Sequence, residues 1–167
     1  MPTTRTPVLD HHSVQRKLRR IAFQLYEENC GEKSLIVVGI APRGHQLAKR
    51  LVALLEEISP LKIELLEMKL DKNDPLTGPV HLQGELLALH DRTVVLVDDV
   101  LMSGRTLMHA AAHLVSVKLK KLTTVVLVDR RHRAYPIRAD IVGLTLSTTM
   151  QEHISVELGR SDGVYLS

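Results

Sequence analysis

The stretch TVVLVDDVLMSGRT, residues 93 to 106, constrains the fold of this chain more than any other segment. It opens with an apolar run typical of a buried strand and then places two carboxylates side by side, Asp98 and Asp99. Gly104 allows a sharp backbone turn before a segment of helical periodicity. Adjacent acids at the end of a buried strand repel each other and resist desolvation. They therefore need either open solvent or a positively charged partner.

Strand-like and helix-like segments alternate along most of the chain. An amphipathic helix is expected from a cap at Ser13 to about Asn29, and short strands are expected near ADIVGL, HISVEL and GVYLS. Between them, continuous apolar runs indicate strands at 34–40, 93–98 and 122–129, alternation indicates one at 61–70, and helical periodicity covers 43–58 and 104–117. Near-continuous apolar strands alternating with helices are typical of a parallel sheet covered on both faces. We therefore predict a single α/β domain over residues 1–167, with a mainly parallel twisted sheet flanked by helices.

Three polar loops follow predicted strands, where ligands collect in sheets of this kind. They are APRG (41–44), the loop of residues 98–106, and DRRHR (129–133). Residues 71–84 form the longest loop, with two prolines, two glycines and little periodicity. A loop of that length in a compact domain is usually functional or disordered.

Composition excludes several classes of function. Aromatic residues make up 2% of the chain, so gripping single-stranded nucleic acid on rows of exposed aromatic rings is excluded. A single cysteine, Cys30, excludes an internal disulfide framework and a four-cysteine metal site, as in a reducing compartment. No apolar run approaches the roughly 20 residues that span a bilayer, and the opening MPTTRTPVLD lacks a signal-peptide core. We expect a soluble cytoplasmic protein with no membrane partner.

The segment MSGRT has the chemistry of a phosphate site. Backbone amides at the start of a helix, with the helix dipole behind them, bind anions, and Ser103 and Thr106 add hydroxyl donors. The segment lacks the G-x-x-x-x-G-K-[ST] pattern of a Walker A loop. Asp98 and Asp99 should face hydroxyls or a cation. A ribose 5-phosphate would satisfy both parts of the site, with its hydroxyls at the acids and its phosphate at MSGRT. Mg²⁺, which binds substrate phosphates together with one or two carboxylates, is a cation that suits these acids.

Thirteen residues of this stretch, VVLVDDVLMSGRT, resemble the 5-phosphoribosyl 1-diphosphate (PRPP) signature of type I phosphoribosyltransferases. Further blocks, LDHHSVQRKLRRIAFQLYEEN, VVGIAPRGHQLAKRL and LVDRRHRAYPIRADIVG, are similar to the PyrR group of that family. The group comprises uracil phosphoribosyltransferases and attenuation proteins that bind pyrimidine-operon mRNA. The resemblance implies the type I phosphoribosyltransferase fold with a small hood and a mobile flap at about 71–84. It also implies a Mg²⁺-dependent reaction of PRPP with uracil, a homodimer or higher homo-oligomer, and a leader mRNA as a further partner.

The same resemblance assigns residues to roles. The catalytic residues are Asp98, Asp99 and Arg43, and the two acids hold Mg²⁺ largely through substrate and water. The remaining assignments are Met102, Ser103, Gly104, Arg105 and Thr106 for the 5-phosphate, Pro42, Arg43 and Gly44 for the diphosphate, Lys69 and Lys72 in the flap, Val128, Asp129, Arg130 and Arg131 for the base, and Arg16, Arg19, Arg20, His132, Arg133 and Arg138 for RNA.

The chain departs from the family pattern at three places. Its flap is shorter and has MKLDKND where the family presents a Tyr-Arg-Asp run, and Arg131 stands where the family has a glycine. Phe23 stands where the RNA-binding members have a histidine on the first helix. Three hypotheses stay open: a uracil phosphoribosyltransferase, a nucleotide-sensing RNA-binding attenuation protein with weak or no turnover, and a phosphoribosyltransferase for another base. The net charge of +3 permits RNA binding, although a basic cluster is more often a solvated face.

Overall fold

A computed structural model describes residues 4–76, 78–149 and 151–167 of the chain. Strands and helices alternate through most of these residues, as the sequence pattern predicts. In chain order the elements are β1 (Thr6–Leu9), α1 (His11–Glu28), β2 (Ser34–Ile40), α2 (Arg43–Ile58), β3 (Lys62–Lys69), β4 (His81–Leu82), a 3₁₀ helix (Leu86–Leu89), β5 (Thr93–Leu101), α3 (Arg105–Leu114), β6 (Lys121–Asp129), β7 (Ile141–Thr145), β8 (Ile154–Glu157) and β9 (Gly163–Leu166).

The main sheet has the strand order β4-β3-β2-β5-β6-β7. Strands β3, β2, β5, β6 and β7 pair in parallel, and β4 pairs antiparallel with β3. A second, antiparallel sheet, β1-β9-β8, brings together segments from both ends of the chain and forms the hood. The prediction of an α/β domain with a mainly parallel sheet and a small hood is confirmed. Because β2, β5 and β6 run in parallel, their carboxyl ends and the three polar loops meet at one edge of the sheet.

Both faces of the central strands are buried, and this explains their continuous apolar sequences. Alternate residues of β2, β5 and β6 point to opposite faces. On one face Val37, Val95 and Leu127 pack with α1 and α2, and on the other Val38, Val94 and Val126 pack with α3. Each fully buried aliphatic side chain of this kind contributes about 1.5–3 kcal/mol to folding.

Several element boundaries differ from those predicted. Helix α1 is capped by Asp10, whose carboxylate accepts a 2.8 Å hydrogen bond from the Ser13 amide, so Ser13 lies inside the helix. Helix α3 ends at Leu114, about one turn earlier than predicted. The short elements β1, β4 and the 3₁₀ helix were not predicted, because they owe their conformation to pairing and packing with distant segments rather than to local periodicity.

Within the described residues, no helix is both long enough and apolar enough to cross a bilayer. The single cysteine, Cys30, is exposed and has a free thiol.

Candidate active site

The acid pair, Asp98 and Asp99, lies near the carboxyl end of β5 and is almost completely buried, with 3% and 7% of each residue exposed. A positively charged partner is present, and it is Lys72, which the sequence analysis assigned only to the flap. Its Nζ lies 2.9 Å from Oδ1 of Asp98 and 3.6 Å from Oδ1 of Asp99. The amide of Asp99 also donates a 2.9 Å hydrogen bond to Oδ1 of Asp98. The acids therefore tolerate burial because an ammonium group and a backbone donor face them.

The protonation behaviour of these groups follows from burial and charge. Burial raises the pKa of Asp98 to about 7, the negative charge of Asp99 acts in the same direction, and Lys72 opposes both. Burial alone would lower the pKa of Lys72, but the two carboxylates outweigh it and hold that pKa above its usual value. The two carboxylates therefore stabilise the charged form of Lys72, whereas burial disfavours the charged form of Asp98 itself.

The phosphate loop, residues 102–106, joins β5 to α3. Gly104 caps α3 with φ 90° and ψ −4°, a left-handed conformation that favours glycine. A Cβ atom at this position would lie 2.7 Å from Cγ2 of Ile137, so a side chain is also excluded by space. The first amides of α3 have no partners within the helix, which makes this loop suitable for an anion.

One cavity of about 300 Å³ extends from Lys72 and Asp98 to the phosphate loop. Lys72 and Asp98 line one part of its wall and residues 102–106 line another. Ala134, Tyr135 and four apolar side chains, Val100, Leu101, Leu107 and Val126, form the rest. A group that offers hydroxyls to the acids and a phosphate to the loop would therefore bind within a single cavity.

The diphosphate loop, residues 41–44, leads into α2 and packs directly against the acid pair. A Cβ atom on Gly44 would lie 2.9 Å from Oδ1 of Asp98 and 2.7 Å from the carbonyl oxygen of Val97. This close approach explains why a glycine is needed there. Pro42 and Arg43 begin the helix, and both are exposed.

The flap, residues 71–84, contacts both the acid pair and the phosphate loop. Lys72 binds the acids, and the guanidinium of Arg105 donates a hydrogen bond to the carbonyl oxygen of Asn73. Lys69, the other predicted flap cation, instead pairs with Glu67 at 3.1 Å and is largely exposed. The structure therefore brings Lys72, but not Lys69, to the acids. Asn73 is a contact that the sequence pattern did not indicate.

The predicted base-binding residues lie at and beyond the end of β6. Val128 and Asp129 are buried in the strand, and Arg131 is exposed with φ 62°, a left-handed conformation that favours glycine. Arg130 is buried and donates to the carbonyl oxygen of Thr149 at 2.8 Å and to that of Glu152. Its side chain therefore connects the end of β6 to the segment before β8.

The predicted RNA-binding residues divide into two groups. In the first group the side chains are exposed and contact other side chains. Arg16 donates to Oγ of Ser13 at 3.2 Å, and Arg19 pairs with Glu57 at 3.7 Å. Arg138 is also exposed. The other three form bonds with backbone acceptors: Arg20 with the carbonyls of Val142 and Gly143, His132 with that of Thr148, and Arg133 with those of Met102 and Ile137.

Two residues of the cavity wall, Ala134 and Tyr135, were missed by the sequence analysis. Their amides both donate to the carbonyl oxygen of Ser103, at 2.9 Å and 3.0 Å. They follow DRRHR in a segment with no periodicity, so no pattern in the sequence indicated where they would lie.

The donor set at the acid pair fits Mg²⁺ that arrives with its substrate. In the part of the chain that the structure describes, no group of three or more His, Cys, Asp or Glu residues could hold a metal ion alone. Two carboxylates are the number that Mg²⁺ uses when substrate phosphates and water supply its other ligands. The position of the Lys72 ammonium shows that a cation is stabilised between these oxygens.

Comparison with known protein families and sequences gives a consistent result. The family model described as phosphoribosyl transferase domain matches residues 5–159. The chain is 38% identical to the bifunctional protein PyrR of Leuconostoc mesenteroides over 162 residues, which cover 93% of each chain. It is 39% identical to the bifunctional protein PyrR of Roseiflexus over 163 residues, covering 93% of this chain and 89% of that protein.

Comparison with solved structures concerns the fold alone, because sequence identity is low. The hypoxanthine phosphoribosyltransferase of Trypanosoma cruzi matches with a TM-score of 0.74 and 16% identity, covering 84% of this chain and 81% of that one. A hypoxanthine-guanine phosphoribosyltransferase from Bacillus anthracis matches with a TM-score of 0.72 and 21% identity, covering 89% and 86%. Both share the arrangement of sheet and helices described above.

Proposed function

Because this chain belongs to the phosphoribosyl transferase family, we propose that it transfers the phosphoribosyl group of PRPP to uracil, giving UMP and diphosphate. The observation that carries the proposal is the cavity that joins Asp98, one member of the acid pair, to the phosphate loop. A ribose 5-phosphate offers hydroxyls and a phosphate at opposite ends, as the two halves of the cavity require. Uracil as the acceptor rests on the resemblance to the PyrR group.

Binding of PRPP uses residues from three loops at one edge of the sheet. The amides of residues 103–106 and the hydroxyls of Ser103 and Thr106 bind the 5-phosphate. Asp98 and Asp99 accept hydrogen bonds from the ribose hydroxyls once Lys72 has left them. Pro42, Arg43 and Gly44 hold the diphosphate, with Arg43 supplying positive charge.

Displacement of diphosphate from C1 of the ribose passes through an oxocarbenium-like transition state, as in other glycosyl transfers. Bound at the acid pair together with PRPP, Mg²⁺ would neutralise charge that develops on the diphosphate. The acid pair orients the ribose, and Arg43 stabilises the leaving group from the diphosphate loop. The flap excludes water, which would otherwise compete with the base for C1.

The base would bind beside the end of β6, near Val128, Asp129, Arg130 and Arg131. Asp129 is held by the amide of Arg131 at 2.9 Å, so the backbone here is fixed before a base arrives. The main chain of Arg131 adopts the left-handed conformation that favours glycine. The long side chain of Arg131 lies beside the expected base site, and we propose that it influences which base is accepted.

A second function is consistent with the relatives, which are named bifunctional proteins. We propose that it is regulation through leader mRNA, which rests on the resemblance to the PyrR group. In this proposal Arg16, Arg19 and Arg138 supply phosphate contacts from exposed positions. A homodimer or higher homo-oligomer in the cytoplasm is part of the same proposal.

A turnover assay with PRPP, Mg²⁺ and a panel of pyrimidine and purine bases tests the proposal. UMP formed from uracil faster than any nucleotide formed from the other bases is the expected result. Preferred turnover of a purine would replace uracil as the acceptor. Binding of PRPP or UMP without turnover of any base would leave the regulatory function alone. The variant Gly104→Ala should be inactive, whereas Gly31→Ala, at an exposed turn with open space around it, should retain activity.

A further inference from the structure

The guanidinium of Arg133 links three separate parts of the site. Its Nη2 donates to Oδ2 of Asp129 at 2.7 Å and its Nη1 donates to the carbonyl oxygen of Met102 at 3.1 Å. Its Nε donates to the carbonyl oxygen of Ile137 at 2.8 Å, and a quarter of the side chain remains exposed. The planar fork of an arginine fixes the directions of all three bonds at once, which a lysine cannot do.

The residues that follow Arg133 bind the same part of the phosphate loop. The carbonyl oxygen of Ser103 accepts from the amides of Ala134 and Tyr135, and Ile137 packs against Gly104. The carbonyl oxygens of Met102 and Ser103 are therefore both held by donors from residues 133–135.

These bonds have a consequence for anion binding. In a trans peptide the N–H points opposite to the preceding carbonyl. The carbonyls of Met102 and Ser103 point at residues 133–135, so the amides of Ser103 and Gly104 point away from those residues. The same bonds also keep two carbonyl oxygens, which would repel a phosphate, engaged with donors.

We propose that Arg133 is a positioning residue that holds the phosphate loop in the conformation that binds the 5-phosphate. The inference rests on the proposed function, since it takes residues 102–106 as the phosphate site. Through Asp129, Arg133 also ties this loop to the end of β6, where the base is expected. The residue was assigned to RNA contact by resemblance. Its three bonds within the fold support the positioning role instead.

Two variants and a matched control test this role. Arg133→Gln removes the charge and most of the donors, and Arg133→Lys keeps the charge but loses the fork. Arg160→Gln removes an equal charge from an exposed position outside the site. For each protein, initial rates are measured across PRPP and uracil concentrations, inorganic phosphate is titrated by NMR of the Ser103 and Gly104 amides, and thermal unfolding is recorded.

We expect Arg133→Gln to raise the KM for PRPP and the Kd for phosphate by about tenfold or more, the effect of losing one or more hydrogen bonds to a charged group. The KM for uracil should change much less, and Arg133→Lys should lie between the wild type and Arg133→Gln. Arg160→Gln should match the wild type. If Arg133→Gln fails to fold, Arg133→Lys carries the same comparison.

Two results would overturn the inference while leaving the proposed function intact. One is phosphate and PRPP affinity in the Arg133 variants equal to that of Arg160→Gln. The other is a loss confined to RNA binding or to thermal stability. A wild-type protein that binds neither phosphate nor PRPP would instead remove the proposed function, and the inference with it.

Discussion

Lys72 places its ammonium nitrogen 2.9 Å from a carboxylate oxygen of Asp98, in the position where a substrate cation and the ribose hydroxyls are expected. The flap thereby neutralises a buried acid pair that would otherwise be costly. It also follows that PRPP must displace Lys72 before it can reach the acids.

Loss of this contact should loosen the flap. We predict that Lys72→Gln increases the rate of chymotrypsin cleavage within residues 71–84 by about tenfold or more in the ligand-free protein, since a partly buried ion pair of this kind contributes about 2 kcal/mol. Lys69→Gln is the matched control, because Lys69 is exposed and pairs with Glu67 outside the acid pair. Mg²⁺ with PRPP should protect the flap of the wild type. Equal cleavage of the two variants would show that Lys72 does not hold the flap.

Neutralising either acid should separate activity from stability. We predict that Asp98→Asn and Asp99→Asn each lower kcat/KM by at least about a hundredfold, or about 2.7 kcal/mol of transition-state stabilisation. The fold should remain, because each substitution removes repulsion between two buried carboxylates. Steady-state kinetics measure kcat/KM, a binding titration measures the affinity for PRPP, and thermal unfolding measures stability. Unchanged PRPP affinity in both variants would contradict the role of the acid pair.

A methyl group at position 104 should abolish phosphate binding. Gly104 has φ 90°, and its Cβ would lie 2.7 Å from Ile137, so Gly104→Ala must shift the loop away from its anion-binding conformation. Titration with inorganic phosphate, followed by NMR of the loop amides, measures the loss. Gly31→Ala is the control, since a Cβ there meets nothing within 4 Å. Wild-type affinity in Gly104→Ala would place the phosphate elsewhere.

Much of the fold was predictable from the sequence because strands buried on both faces of a parallel sheet have continuous apolar sequences. Strands β2, β5 and β6 and the whole of α2 are examples. The acid pair and Gly104 were also predictable, since two adjacent carboxylates and a left-handed glycine each impose a local requirement. The contact of Lys72 with these acids was not, because the flap has no periodicity that determines where its side chains point. The hydrogen bonds of Arg133 could not be predicted either, because its segment also has no periodicity.

A buried carboxylate in the hood was also beyond sequence analysis. Asp162 accepts hydrogen bonds from Arg50 of α2 and from the Gly159 amide, and its own amide donates to Nδ1 of His11. These residues are distant in the chain, and no motif marks them. Burial would raise the pKa of Asp162, but the bonds from Arg50 and Gly159 outweigh it and hold the pKa below the usual 3.8. A lowered pKa stabilises the fold above the usual carboxyl pKa, and this stabilisation is lost as pH falls through the lowered value.

We therefore predict that Arg50→Gln lowers the free energy of unfolding by about 2 kcal/mol at pH 7, less than for a fully buried pair because Arg50 is partly exposed. The difference from the wild type should shrink as the pH falls below 3.8 and Asp162 becomes protonated. Urea unfolding at several pH values measures it, with Arg160→Gln as the control. A difference that stays constant down to acid pH would mean that the ion pair is not its cause.

The last prediction concerns RNA. The exposed candidates Arg16, Arg19 and Arg138 lie in two basic segments of the chain, and Arg19 stacks over the ring of Phe23 with 5.4 Å between its guanidinium carbon and the ring centroid. If these residues contact single-stranded phosphates, log affinity should fall linearly with log salt, and each contact should add a slope of about 0.7.

The measurement is a salt-dependent titration with the leader RNA of the chain's own operon and with a scrambled RNA of equal length. Arg16→Gln and Arg138→Gln should each weaken binding and reduce the slope by about 0.7, because each removes one phosphate contact. Arg160→Gln, which is exposed outside both segments, should leave the slope unchanged. Preference for the leader over the scrambled RNA requires base contacts as well, and with few aromatic side chains available these would come from arginine planes stacking on unpaired bases. Equal affinity for the two RNAs would reduce both segments to solvated surface and leave phosphoribosyl transfer as the function of this chain.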